Sequence, residues 1–201
     1  MTLLVGQQAP DFTAPAVMGN GEIVEDFNLA KHIKGKCAAI VFYPLDFTFV
    51  CPSELIALDH RVPQLKERGV EVISVSIDSH FTHNAWRNTP IEKGGIGPVQ
   101  YTMVGDMNHE IVKAYGVEHP EAGVAFRGTV IIDDTGMVRH QLINDLPIGR
   151  DMDELIRIVD AIQFHQQHGE VCPAGWQKGQ KGMKADTSGV ASYLKENAEA
   201  L

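Results

Sequence analysis

Three cysteines, Cys37, Cys51 and Cys172, stand far apart in this chain, and Cys51 has the neighbours that a reactive thiol requires. The apolar run from Cys37 to Tyr43 stops at Pro44, and the chain then passes through Leu-Asp-Phe-Thr48-Phe-Val to Cys51-Pro52. From Ser53 to Arg68 the apolar residues Leu55, Leu58, Val62 and Leu65 recur at helical spacing. Pro52 suits the first helical position, so Cys51 falls at the start of that helix. Unpaired amide groups and the positive end of the helix dipole then face its sulfur and favour the thiolate, which is the nucleophilic form. The competing reading is a small buried hydrophobe, the commonest environment of a free cysteine. A disulfide reductase of the thioredoxin kind needs a second cysteine three positions on, and position 54 is Glu54.

Other polar residues carry weaker signals. His80 and His83, three apart on an expected helix, offer one edge of a metal site. No third ligand joins them in a recognisable pattern, so no metal is expected. Gly94-Gly-Ile-Gly97 lacks the Lys-Ser/Thr ending of a phosphate loop and reads as a plain loop, so no cofactor is expected. Read alone, Thr48 is an N-terminal cap and Arg127 a surface charge.

The elements that must position these residues follow from periodicity. Thr13 to Val17 and Glu22 to Phe27 flank Gly19-Asn20-Gly21 and predict an N-terminal hairpin, taken as an ornament on the core. Cys37 to Tyr43 predicts a strand buried on both faces, Ser53 to Arg68 a helix kinked at Pro63, Val70 to Ile77 a strand and His80 to Asn88 a helix. Tyr101 to Val104 predicts a strand and Asn108 to Tyr115 a helix. Gly128 to Asp133 and Met137 to Ile143 predict strands around Asp134-Thr-Gly136, and Asp151 to Gln167 a patterned helix. The alternation implies an α/β fold with a parallel-type central sheet. From Gly169 the composition shifts to Gly, Lys, Ala and Ser, predicting a mobile arm with a last helix at Ser188 to Ala200. The expected organisation is a core of residues 1–168 and an arm of residues 169–201.

Bulk properties narrow the function. With 201 residues and 44% hydrophobic content, one folded unit with a real core is expected. Seventeen basic against 26 acidic residues give a net charge of −9, which disfavours nucleic acid as a partner. Met1 to Asp11 has no basic segment of a secretory signal, and no stretch approaches a membrane span. Three separated cysteines are too few for a secreted disulfide scaffold, so a reducing, cytoplasmic location is expected.

Pro44, Thr48 and Cys51 together resemble the P-x-x-x-T-x-x-C signature of peroxiredoxins. Val171-Cys172-Pro173-Ala174-Gly175-Trp176 resembles the resolving-cysteine motif of their typical two-cysteine class, the alkyl hydroperoxide reductase C and thiol-specific antioxidant group. Phe81-Thr-His-Asn-Ala85-Trp86, Arg127 and Gly149-Arg150 fall between them in the expected order, and the resemblance runs from Val5 to Trp176. It implies a thioredoxin-like fold with an N-terminal hairpin and a C-terminal extension. It also implies that Cys51 attacks the terminal peroxide oxygen, that Thr48 hydrogen-bonds peroxide and sulfur, that Arg127 polarises the peroxide and that Pro44 shields the pocket. Glu54 and Arg150 resemble the acid and second arginine that orient Arg127. These types suit the chemistry, because displacement on a peroxide builds charge on the leaving oxygen, which a fixed cation and a hydroxyl donor stabilise.

The same resemblance implies that Cys172 resolves the oxidised Cys51 of the other subunit in a homodimer, that five such dimers form a decamer, and that thioredoxin or a flavoprotein disulfide reductase supplies electrons. Antioxidant defence and peroxide signalling are the implied roles, with holdase chaperone or redox relay as the alternative. Cys37 reads as a structural thiol. Gly94-Gly-Ile-Gly97 resembles the Gly-Gly-Leu-Gly loop of members inactivated by excess peroxide. Their C-terminal Tyr-Phe is here Tyr193-Leu194, so the pair is half kept.

Overall fold

The computed structural model describes residues 3–200. Met1, at which the N-terminal reading begins, and Leu201, at which the expected arm ends, lie outside the described residues. The chain divides into two compact units, Met1–Met152 and Asp153–Leu201.

The first unit is built on a seven-stranded sheet of order β2-β1-β5-β4-β3-β6-β7. Its strands are β1 (Thr13–Val17), β2 (Ile23–Asn28), β3 (Cys37–Phe42), β4 (Val70–Ser76), β5 (Thr102–Gly105), β6 (Arg127–Ile132) and β7 (Val138–Asn144). At its centre β3 has Ala38, Ala39, Ile40, Val41 and Phe42 fully buried, as its uncharged run requires. The sheet is mixed, which corrects the parallel-type expectation. β4 runs parallel to both β3 and β5, whereas β6 is antiparallel to β3 and to β7. Tight turns such as the one at Asp134-Thr-Gly136 reverse the chain, so β7 must return antiparallel to β6. The N-terminal hairpin is also more than an ornament. β1 pairs antiparallel with β5 at Ala16↔Val104 and Val17↔Met103 and so extends the main sheet.

The helices of this unit are α1 (Leu29–His32), α2 (Cys51–Asp59), α3 (Val62–Glu67), α4 (His80–Arg87) and α5 (Glu110–Ala114). The single kinked helix expected from Ser53 to Arg68 is two helices. Pro63 has no N–H for the Asp59 carbonyl, so α2 stops there and the proline falls in the first turn of α3, where no donor is needed. α5 is shorter than expected because His109, at φ 59°, is left-handed and cannot continue a helix. The four-residue α1, capped by the Asn28 side chain on the amide of Lys31, has no periodic signal in the sequence.

The second unit begins within α6 (Met152–His168) and ends in α7 (Thr187–Asn197) and a 3₁₀ turn at Ala198–Ala200. Between the helices, Val171 bridges Met183, and Trp176 is buried with its ring 4.8 Å from that of Phe164 on α6. The segment after Gly169 therefore folds back on α6, although its composition alone predicted a mobile arm.

Candidate active site

α2 opens on Cys51 itself. Val50 at its N-cap has helical dihedrals and no side-chain cap, so Thr48 is not the capping residue its type allowed. The Thr48 hydroxyl instead lies 2.8 Å from the Leu45 carbonyl and 3.0 Å from the Cys51 sulfur. One hydroxyl hydrogen serves one acceptor at a time. When Cys51 is a thiolate, that hydrogen is available to the sulfur, and when it is a thiol its own S–H can donate to Thr48.

Cys51 is fully buried, as are Glu54 and Arg127. Arg127 opens β6, and its Nη1 lies 3.5 Å from the Cys51 sulfur and 2.6 Å from Glu54 Oε2. Its Nε donates to the Leu146 carbonyl at 2.6 Å, so the guanidinium is fixed from both sides. Glu54, one turn into α2, also accepts at Oε1 from the backbone N–H and the Nε of Arg150, each at 2.8 Å. Arg150 Nη1 donates to the Gly128 carbonyl, beside Arg127. Burial alone would push the Glu54 carboxyl up, but the hydrogen bonds and charge of Arg150, with the charge of Arg127, hold it below its ordinary value. One carboxylate thus orients two guanidinium groups and leaves one of them facing the sulfur.

Pro44 is buried at the exit of β3. The loop it begins is held by a cluster that sequence reasoning missed. Asp46 accepts from the Tyr43 hydroxyl at 2.7 Å and lies 2.8 Å from His83 Nδ1, and its backbone N–H donates to Asp78 at 2.9 Å. His83 Nε2 faces the Val104 carbonyl at 3.1 Å. Burial raises the Asp46 carboxyl, with the His83 hydrogen bond acting against it. Phe47, next in the loop, is left-handed at φ 54°, a conformation costing a non-glycine residue on the order of 1 kcal/mol. Its ring packs 5.7 Å from Trp86, which holds the turn that brings Thr48 back toward Cys51. His83 is therefore a buried hydrogen-bonding residue, and His80 Nε2 lies 3.4 Å from Glu25. Among the described residues no group of three His, Cys, Asp or Glu side chains could hold a metal ion.

Of the residues singled out in the sequence, Thr48, Cys51, Glu54, Arg127 and Arg150 converge, with Pro44 at the base of the same loop. Cys172 belongs to the second unit, where it is half-buried with its sulfur 3.5 Å from the Ala161 carbonyl. Burial pushes its thiol up, and the charge of Arg157 opposes this. All three cysteines are free thiols. No described helix is long and apolar enough to cross a membrane.

Comparison with known proteins agrees with this geometry. Residues 5–141 match the AhpC/TSA family, and residues 161–196 match the C-terminal domain of 1-Cys peroxiredoxin. The chain is 55% identical over 199 residues to alkyl hydroperoxide reductase C of Helicobacter pylori, covering 99% of this chain and 100% of that protein. It is 47% identical to peroxiredoxin-1 of Gallus gallus over 190 residues, 94% of each chain. The solved structure of reduced Plasmodium vivax 2-Cys peroxiredoxin superposes with a TM-score of 0.92 at 48% identity, covering 96% of this chain and 100% of that one. A fully buried thiol at a helix start, faced by a hydroxyl and an oriented guanidinium, thus sits in a fold shared with these proteins, and the chain belongs to the AhpC/TSA family of peroxiredoxins.

Proposed function

We propose that this thiol-dependent peroxidase reduces hydrogen peroxide and alkyl hydroperoxides at Cys51, and that Cys172 of the partner subunit completes the cycle. The observation that carries the reading is the placement of Thr48 Oγ1 at 3.0 Å and Arg127 Nη1 at 3.5 Å from one buried sulfur. The Cys51 thiolate attacks the terminal peroxide oxygen. An S–O bond forms as the O–O bond breaks, sulfur is oxidised by two electrons, and the other oxygen leaves as an alcohol or water after taking a proton. Arg127 and Thr48 stabilise the charge that builds on that oxygen. Glu54 and Arg150 keep Arg127 in place, and Pro44 helps to exclude water.

The resulting sulfenic acid condenses with the thiol of Cys172, releasing water and leaving a disulfide, before further oxidation makes the change irreversible. Residues 1–168 are the peroxidase domain and 169–201 the arm that brings the resolving cysteine. By symmetry each homodimer carries two such disulfides, and dimers assemble into a decamer. A dithiol donor, thioredoxin or a flavoprotein disulfide reductase, returns both thiols. The setting is cytoplasmic, in antioxidant defence and peroxide signalling.

Two variants test the reading. With a coupled dithiol system, Cys51→Ser is expected to lose peroxide consumption, and full activity in that variant would refute the assignment. Peroxide is expected to convert the wild type into a covalent dimer on a non-reducing gel, while Cys172→Ser remains monomeric there.

A further inference from the structure

The face of α6 that meets the segment carrying Cys172 is a row of contacts at helical spacing. Arg157 Nη1 donates to the Trp176 carbonyl at 3.0 Å, and Asp160 pairs with Lys178 at 3.4 Å. Cys172 Sγ lies against the Ala161 carbonyl, Phe164 packs on Trp176, and His165 Nδ1 lies 2.8 Å from the Glu170 carbonyl. Residues 157, 160, 161, 164 and 165 share one side of a helix, so a single face seats the whole turn from Glu170 to Lys178.

Arg157 differs from the other members of this row. Glu154, one turn earlier, grips its guanidinium at two points, 2.6 and 2.7 Å, and this fork fixes the side chain in its direction along the helix. Arg157 is four residues from Ala161, whose carbonyl touches the Cys172 sulfur, so the two residues lie on the same face of α6. We propose that Arg157 is a positioning residue for disulfide formation: it holds the Trp176 turn on α6 and supplies positive charge on the helix face that seats Cys172. The proposal rests on the reading of Cys172 as the resolving cysteine.

Resolution needs two things from Cys172. The sulfur must attack as thiolate, forming the S–S bond while the S–O bond of the sulfenic acid breaks and the hydroxide leaves as water by taking up the proton that the thiol gave up. The turn must also release from α6 so that the sulfur can travel. Burial disfavours the thiolate at Cys172, and the charge of Arg157 is the force that opposes it. Its hydrogen bond to the Trp176 carbonyl is also one of the links that must open when the turn leaves. The other ionisable groups on this face are Glu154, already held by Arg157, Asp160 and His165 on α6, and Glu170 and Lys178 on the segment itself. Asp160 and Lys178 face each other at 3.4 Å, and Arg157 is paired with Glu154.

Alkylation of the full-length reduced protein across pH, followed at each cysteine by peptide mass spectrometry, separates the two effects. The midpoint of the Cys172 profile reports the charge, and its plateau reports how freely the turn opens. In Arg157→Gln the midpoint is expected to move to higher pH, slowing labelling near neutrality about threefold, and the plateau is expected to rise. Arg157→Lys is expected to restore the midpoint and not the plateau, since it keeps the charge without the fork. Single-turnover oxidation of Cys51 by peroxide is expected to be unchanged in both variants. An unmoved midpoint in Arg157→Gln, no rescue by lysine, or slowed Cys51 oxidation would each overturn the proposal. Should Cys172→Ser still form the covalent dimer, the resolving role itself fails, whatever the labelling profiles show.

Discussion

Glu54 and Arg127 meet at 2.6 Å through the same guanidinium nitrogen that stands 3.5 Å from the Cys51 sulfur. Nucleophile and carboxylate lie on one helix, three residues apart, and the cation between them arrives from β6. The position of the positive charge over the sulfur is therefore set by a residue that does not touch the sulfur.

Replacing Glu54 with Gln removes the shared negative charge and leaves two buried guanidinium groups facing each other. A stability loss of about 3 kcal/mol or more is expected, as for other buried pairs broken on one side, together with slower peroxide reduction as Arg127 loses its orientation. The folded Glu54 carboxyl lies below its ordinary value of 4.5, so its contribution to stability is fully present above that value and is lost as pH falls through the lower, folded value. Thermal melts from neutral pH downward would show this acid-dependent loss in the wild type and its weakening in Glu54→Gln. Parallel curves would contradict the assignment.

Thr48→Val keeps the shape of the side chain and deletes the hydroxyl 3.0 Å from the sulfur. Peroxide reduction is expected to fall about 100-fold, the cost typical of one transition-state donor, with a nearly unchanged melting temperature because Thr48 caps no helix. Thr48→Ser should retain most activity. Stopped-flow oxidation of Cys51 measures both, and a valine variant as fast as wild type would remove Thr48 from the chemistry.

Much of this site was legible because its signals are local. Pro44, Thr48 and Cys51 fall within eight residues, and the same stretch shows strand, turn and helix start in order. The resemblance extended the reading to Glu54, Arg127 and Arg150, whose convergence no periodicity reveals. Three features were illegible for physical reasons. Strand direction is not encoded in an apolar run, so the antiparallel neighbours of β3 and β5 could not be foreseen. The break before Pro63 depends on whether the helix kinks or stops, which packing decides. Asp46 and His83 are 37 residues apart, and only the folded chain brings them to 2.8 Å. The signal that could have found them was an acid inside the active-site motif and a histidine inside Phe81-Thr-His-Asn-Ala85-Trp86.

His83→Leu tests that cluster. It removes the partner of the buried Asp46 carboxyl and of the Val104 carbonyl, so a loss of about 1–3 kcal/mol is expected for the polar groups left unsatisfied. Because Asp46 anchors the loop between Pro44 and Thr48, activity measured well below the melting temperature should fall as well. A destabilised variant with wild-type turnover would limit the cluster to a structural role.

The last prediction concerns excess peroxide, where sequence resemblance and structure supply different parts. Gly94 accepts from Trp86 Nε1 at 2.9 Å, and Ile96 is buried, so the Gly94-Gly-Ile-Gly97 loop is fixed to α4 within the first unit. Leu194, by contrast, is exposed on α7, at the position where the resemblance implies the phenylalanine of a Tyr-Phe pair. The resemblance implies that such an aromatic pair slows disulfide formation, which gives a second peroxide time to oxidise the sulfenic acid further. With leucine, less apolar surface is available to hold the arm, at roughly 25 cal/mol for each Å², so resolution should compete better. The wild type is expected to form sulfinic acid at Cys51 only at large peroxide excess. Leu194→Phe should form it at lower peroxide, with Cys51 oxidation itself unchanged. Mass spectrometry of the Cys51 peptide across a peroxide titration decides the matter: identical curves for the two proteins would show that residue 194 does not control resolution.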